Sequence, residues 1–179
     1  MEEEIKIKSE ILDAESISRA LTRISHEILE KNRGAENLAI VGIKKRGDIL
    51  AERIAENIKK IENKDVPVGA VDITFYRDDY DITSHIEVNE TELNFKVDGK
   101  DIILVDDVLY TGRTARAAMD VVIEQGRPKT IQLAVLVDRG HRELPIQANY
   151  AGKNVPTSAE EEIVFRLEGE NKVLLAEKL

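Results

Sequence analysis

Ile102-Ile-Leu-Val-Asp-Asp-Val-Leu-Tyr-Thr-Gly-Arg-Thr114 is the stretch that decides how this chain folds. Ile102 to Val105 is a short apolar run of the kind that forms a buried strand. It delivers Asp106 and Asp107 to its carboxyl edge. Thr111-Gly112-Arg113-Thr114 then turns into a helix. A helix N-terminus offers free N–H groups and the positive end of the dipole, which suits a phosphate. Gly112 lets the backbone approach closely. The Thr111 and Thr114 hydroxyls add donors. Two carboxylates beside that cradle would repel an anion, yet they suit sugar hydroxyls and a divalent cation. The stretch therefore predicts a ribose 5-phosphate, with its phosphate on the turn and its 2- and 3-hydroxyls on the acids.

Working outward, strands alternate with helices. Asp13 to about Asn32 reads as an amphipathic helix, with Asp13 as cap and Glu15 in the first turn. Ile17, Leu21, Ile24 and Ile28 recur at helical spacing and should face the core, and Arg33-Gly34 ends the helix. Asn37 to Gly42 predicts a first buried strand. The loop Gly42-Ile-Lys-Lys-Arg-Gly47 follows, and then a helix to about Lys60. Val66 to Tyr76 predicts a second strand, Ile102 to Val105 a third and Ile131 to Val137 a fourth. Arg113 to Glu124 predicts a third helix. Ile163 to Leu167 and Val173 to Ala176 are two short strand candidates. Arg77 to Asn94 is polar, acidic and aperiodic, a length that ordered domains keep for lids. This alternation predicts an α/β domain, a mainly parallel twisted sheet flanked by helices. In such sheets ligands bind beyond the carboxyl ends of the strands, here after Val41, Tyr76, Val105 and Val137.

At 179 residues the chain fits one domain. No stretch approaches the roughly 18 apolar residues of a membrane helix. Met1-Glu2-Glu3-Glu4 is no secretory start, and the absence of cysteine removes disulfides and thiolate metal sites. A cytoplasmic address without membrane partners is the expectation. The net charge of −9 argues against nucleic acid when taken alone. Its distribution is uneven, however: Arg127 to Lys153 carries +3, whereas Tyr76 to Asp98 carries −5. Gly42 to Gly47 is no P-loop, since Asp48-Ile49 follows where Lys-Ser/Thr would be needed. There is no GxGxxG.

The stretch from Asp106 to Thr114 resembles the phosphoribosyl-pyrophosphate (PRPP) motif of the type I phosphoribosyltransferases. Leu21-Thr-Arg-Ile-Ser-His-Glu27, Val41-Gly-Ile-Lys-Lys-Arg-Gly47, Tyr76-Arg-Asp-Asp79 and Leu136-Val-Asp-Arg-Gly-His-Arg-Glu-Leu-Pro-Ile146 extend the likeness over nearly the whole chain. They resemble the bifunctional pyrimidine operon attenuation regulators that are also uracil phosphoribosyltransferases. The resemblance implies one phosphoribosyltransferase domain over 1–179. Its parts would be a flexible lid at about 77–94 and a small hood at about 138–160 together with the N-terminal segment. It also implies conversion of uracil and PRPP to UMP and pyrophosphate, UMP-dependent binding of pyrimidine operon mRNA, and a homodimer or higher homo-oligomer.

The resemblance also distributes roles. Asp106, Asp107, Val108, Leu109, Tyr110, Thr111, Gly112, Arg113 and Thr114 would hold PRPP or UMP. Ile43, Lys44, Lys45 and Arg46 would hold pyrophosphate, offering backbone N–H groups and cations to its growing charge. Arg77 would fold over the same group, and Asp107 is the candidate general base. Val137, Asp138 and Arg139 would lie over uracil. Magnesium would arrive with PRPP rather than on a protein ligand set, with Asp106 and Asp107 as its candidate carboxylates. Thr22, Arg23, His26, Arg142 and Lys153 would meet RNA, and Arg19 shares their helix face. The chain departs from the family at Gln147, where a basic residue is common. Two other readings remain open: a nucleotide-gated RNA-binding regulator with vestigial catalysis, and a purine-base phosphoribosyltransferase without an RNA role.

Overall fold

The computed structural model of the chain describes residues 5–74, 91 and 93–179. In chain order its elements are β1 (Ile5–Leu12), α1 (Ala14–Asn32), β2 (Leu38–Ile43), α2 (Gly47–Glu62), β3 (Val68–Val71), β4 (Asp101–Leu109), α3 (Arg113–Glu124), β5 (Thr130–Asp138), β6 (Tyr150–Asn154), β7 (Glu161–Arg166) and β8 (Lys172–Lys178).

Successive residues of a strand face opposite sides of its sheet, and β4 uses both sides. Ile103 and Val105 join the core with Ile17, Ile24 and Ile28 of α1 and Leu50 and Ile54 of α2. Ile102 and Leu104 join the opposite core with Ala118, Val121 and Val122 of α3. The main sheet is therefore covered on both faces, which is why its central strands read as continuous apolar runs. Its order is β3-β2-β4-β5-β6, and every neighbouring pair is parallel. From β2 the chain moves outward to β3, then returns to place β4 on the other side. The direction of winding reverses there, and a crevice opens beyond the carboxyl ends of β2 and β4.

Local signals set the helix ends. Asp13 caps α1 by accepting the Ser16 N–H at 2.7 Å. Arg33, in the left-handed region at φ 55°, closes it. Helix α3 follows the predicted bounds, with Gly112 at φ 94° as its N-cap.

Several expectations need correction. β3 is shorter than Val66 to Tyr76, because the Asp72 carboxylate accepts both the N–H and the hydroxyl of Thr74 and turns the chain away. Residues 75 and 76 lie outside the described residues. β4 is longer than expected and contains the acid pair, since Val108 and Leu109 continue the ladder opposite Val137 and Asp138. β1 and β6 were not foreseen. The small antiparallel sheet has the order β1-β8-β7, so it joins the N-terminal segment to residues 161–178. Of the 138–160 stretch expected in the hood, β6 instead pairs with β5 at the edge of the main sheet. Gly152 permits that close pairing, as a Cβ there would lie 2.5 Å from the Leu136 carbonyl oxygen. Arg77 and nearly all of the 77–94 lid lie outside the described residues. Among the described residues no helix is long and apolar enough to cross a membrane.

Candidate active site

The loop between β2 and α2 is brought against β4 by Gly47, where a Cβ would fall 2.5 Å from the Val105 carbonyl oxygen. That approach places exposed Lys44, Lys45 and Arg46 beside the acid pair. The Lys44–Lys45 peptide is cis. Arg46 adopts φ 74°, ψ −37°, a region that costs an L-residue about 1–3 kcal/mol. Its Nε donates to Asp107 Oδ2 at 2.5 Å, and its guanidinium lies 5.5 Å from the centre of the Phe165 ring on β7.

The two acids differ in their surroundings. Asp107 has one oxygen on Arg46 and accepts the Val108 N–H at 2.7 Å with the other. Its side chain is 6% exposed, whereas that of Arg46 is 48% exposed. Asp106 accepts the Asp107 N–H at 2.8 Å. Burial first, and then the neighbouring Asp107 charge, push the Asp106 carboxyl well above the ordinary carboxylate range.

Beyond the acids, Gly112 turns the chain into α3. Ile43, Lys44, Lys45, Arg46 and every residue from Asp106 to Thr114 line one cleft of about 600 Å³. Sequence reasoning missed Ile73, Thr74 and Glu143, which line it too. Thr74 was legible in principle, since Asp72-x-Thr74 is a turn signal at the carboxyl end of a strand. Glu143 stands at the wall and accepts from Arg113 Nε at 3.1 Å.

Val137, Asp138 and Arg139 do not join that wall. Val137 is fully buried in the core. Asp138 accepts from the Gly140 N–H at 3.0 Å and from Arg142 Nη2 at 2.5 Å. Arg139 donates to Thr157 Oγ1 and to the Glu161 carbonyl, and its guanidinium stacks 4.0 Å above the Tyr110 ring. It touches two residues of the cleft wall, stacking on Tyr110 and donating its N–H to the Leu109 carbonyl at 3.0 Å.

Thr22, Arg23 and His26 are exposed on α1, as is Arg19. Arg23 pairs with Glu27 and also donates to the Gly152 and Ala151 carbonyls of β6, at 2.6 and 3.2 Å. The α1 face and β6, which carries Lys153, are thus adjacent. Lys153 Nζ donates to the Ile11 carbonyl at 3.3 Å. Arg142 is employed differently: all three of its guanidinium nitrogens bond to acceptors of its own chain.

The phosphoribosyl transferase domain family matches residues 8–168. A bifunctional protein PyrR of Pelotomaculum thermopropionicum is 58% identical, covering 95% of this chain and 96% of its own length. That of Oceanobacillus iheyensis is also 58% identical, covering 97% and 100%. Among solved structures, a hypoxanthine-guanine phosphoribosyltransferase of Bacillus anthracis superposes with a TM-score of 0.73 over 97% of this chain and 99% of its own, at 17% identity. A hypoxanthine phosphoribosyltransferase of Trypanosoma cruzi gives 0.75 over 97% and 98%, at 14% identity. At such identities the likeness concerns the fold. Family match, close relatives and fold agree: the chain belongs to the type I phosphoribosyltransferases and, within them, to the bifunctional PyrR proteins.

Proposed function

We propose that the protein transfers the phosphoribosyl group of PRPP to uracil, giving UMP and pyrophosphate, and that it binds pyrimidine operon mRNA when UMP is bound, attenuating transcription. The observation that carries the catalytic half is the Arg46–Asp107 contact, which joins the loops after β2 and β4 in one cleft. On this reading Thr111 to Thr114 receive the 5-phosphate, and Asp106 and Asp107 accept from the ribose hydroxyls. The bond from the anomeric carbon to the diphosphate oxygen breaks as the bond to uracil N1 forms. Negative charge grows on the departing diphosphate, and Lys44, Lys45 and Arg46 meet it from a fixed loop. Half-exposed Arg46 has two anions within its reach, Asp107 and the diphosphate. Turning to the diphosphate releases Asp107 to take the N1 proton. Arg77 is proposed to close over the same group, and backbone groups from Val137 to Arg139 to read the base.

The donor set also suits magnesium. Among the described residues no cluster of three His, Asp or Glu could hold a metal alone, and Mg²⁺ commonly relies on one or two carboxylates, waters and substrate phosphates. Asp106 and Asp107 would hold it beside the diphosphate, where it supplies charge neutralisation.

The RNA half rests on the exposed Thr22, Arg23 and His26 beside Lys153, side chains that suit phosphate and 2-hydroxyl contacts. A homo-oligomer is part of the proposal, and sedimentation velocity would test it. The deciding experiment is pyrophosphate release from PRPP and Mg²⁺ with uracil, cytosine, hypoxanthine, guanine and adenine. Turnover with uracil alone is expected. Silence with every base would leave a nucleotide-gated RNA regulator, and turnover with a purine would overturn the base assignment.

A further inference from the structure

Four donors from one short segment close over the phosphate loop. The Arg139 N–H donates to the Leu109 carbonyl at 3.0 Å. Arg142 Nη1 donates to the Tyr110 carbonyl at 2.9 Å. The Glu143 and Leu144 N–H groups both donate to the Thr111 carbonyl, at 2.9 and 3.1 Å. A trans peptide is planar, so the C=O of one residue and the N–H of the next point in opposite directions. Holding three consecutive carbonyls on one side therefore turns the N–H groups of Tyr110, Thr111 and Gly112 to the other. These residues line the cleft.

Three of the four donors are backbone groups, available to any sequence. Arg142 is the one side chain among them, and it does more than touch Tyr110. Its Nε donates to the Ile146 carbonyl at 2.8 Å and its Nη2 to Asp138 Oδ2 at 2.5 Å. Asp138 in turn accepts the Gly140 N–H. One guanidinium thus ties the end of β5, the loop after it and the phosphate loop together. The pair is largely shielded, with side chains 23% and 17% exposed, so its hydrogen bonds are weakened little by solvent.

We propose that Arg142 is a positioning residue for the 5-phosphate: it holds the Tyr110 carbonyl outward so that the N–H groups of 110–112 face the phosphate. This inference rests on the phosphoribosyltransferase reading and adds to it a residue that does not touch substrate. Arg142 acts through the loop, so its loss lowers affinity for ligands that carry the phosphate and spares those that lack it.

The test is calorimetric binding of UMP and of uridine, which differ only in that phosphate, to wild type, Arg142→Ala, Arg142→Lys and Asp138→Asn. Folding is checked by circular dichroism and thermal midpoint. A hydrogen bond to a charged group is worth about 1.5–3 kcal/mol. Arg142→Ala is therefore expected to lose roughly 10- to 100-fold in UMP affinity while uridine affinity stays within about twofold. Its KM for PRPP should rise far more than its kcat falls. Arg142→Lys, able to keep one contact, should recover part of the loss. Asp138→Asn, which keeps the guanidinium but slackens it, should show the same split more weakly, and it decides the matter if Arg142→Ala does not fold. Equal loss of UMP and uridine affinity, or unchanged UMP affinity in a folded Arg142→Ala, would overturn the proposal. A wild type that binds UMP no more tightly than uridine would overturn the phosphoribosyltransferase reading itself, whatever the variants do.

Discussion

Arg46 and Asp107 meet at 2.5 Å across the carboxyl ends of β2 and β4, although 61 positions separate them in the chain. Removing a preorganised group that faces developing charge typically costs about 10²–10³ in kcat. Arg46→Ala and Asp107→Asn should each fall in that range while remaining folded. Because the two touch and are proposed to act on one charge transfer, the double variant should be less impaired than the product of the single losses. Steady-state pyrophosphate release across the four proteins measures this, and full additivity would show that the two work independently.

The backbone at Arg46 can be tested apart from its side chain. At φ 74° glycine carries no Cβ penalty and alanine does. Arg46→Gly is expected to exceed Arg46→Ala in unfolding free energy by about 1 kcal/mol, with similar catalytic loss in both. Denaturant midpoints compare them. A more stable alanine variant would refute the positive φ.

Asp106 sets a pH dependence. Burial and the Asp107 charge raise its folded value above the ordinary 3.8, so between these values the native state binds the proton more tightly than the unfolded chain. The stability this group contributes is then fully present below about pH 4 and is lost as pH rises through the folded value. Asn cannot ionise. Asp106→Asn should therefore melt higher than wild type at pH 8, with the gap closing near pH 4, while turnover drops. A lower melting temperature at pH 8 would contradict the buried-charge account.

Gly112 combines a positive φ with close quarters. A Cβ there would lie 3.3 Å from Ile146 Cβ and 3.5 Å from Leu144 Cβ. Gly112→Ala should lose about 1–2 kcal/mol of stability and raise the KM for PRPP, because the turn that presents its N–H groups must shift. Thermal melts and initial rates report the two effects separately.

On α1, residues with and without internal partners should separate. Thr22→Ala and His26→Ala are expected to weaken binding of pyrimidine operon RNA while leaving melting temperature and turnover near wild type. Arg23→Ala should weaken RNA binding and also cost about 1 kcal/mol of stability, since Arg23 donates to two carbonyls of the edge strand β6. Filter binding at several salt concentrations tests the ionic part, because loss of a phosphate contact flattens the dependence of log affinity on log salt.

What could be read from residues alone was local. The bounds of α1 follow from Asp13 and Arg33-Gly34, and the start of α3 from Gly112, because caps and positive-φ turns depend on neighbours within a few positions. The stretch from Ile102 to Thr114 is contiguous, so strand, acids and glycine turn announced one another, and the covered parallel sheet followed from the spacing of apolar runs. Folding decided everything that joins distant segments. β1 pairs with β8 from opposite ends of the chain, and no pattern within either strand names its partner. Arg46 reaches Asp107 only because the strand order sets β2 beside β4. The raised proton affinity of Asp106 exists only once the sheet removes water from it. The resemblance sets Arg142 among the residues expected to meet RNA, and only the turn after β5 places its three nitrogens on Tyr110, Asp138 and Ile146. Local conformation is encoded by near neighbours. Desolvation and long-range hydrogen bonding are fixed by how strands are ordered in space, and a linear pattern does not contain that order.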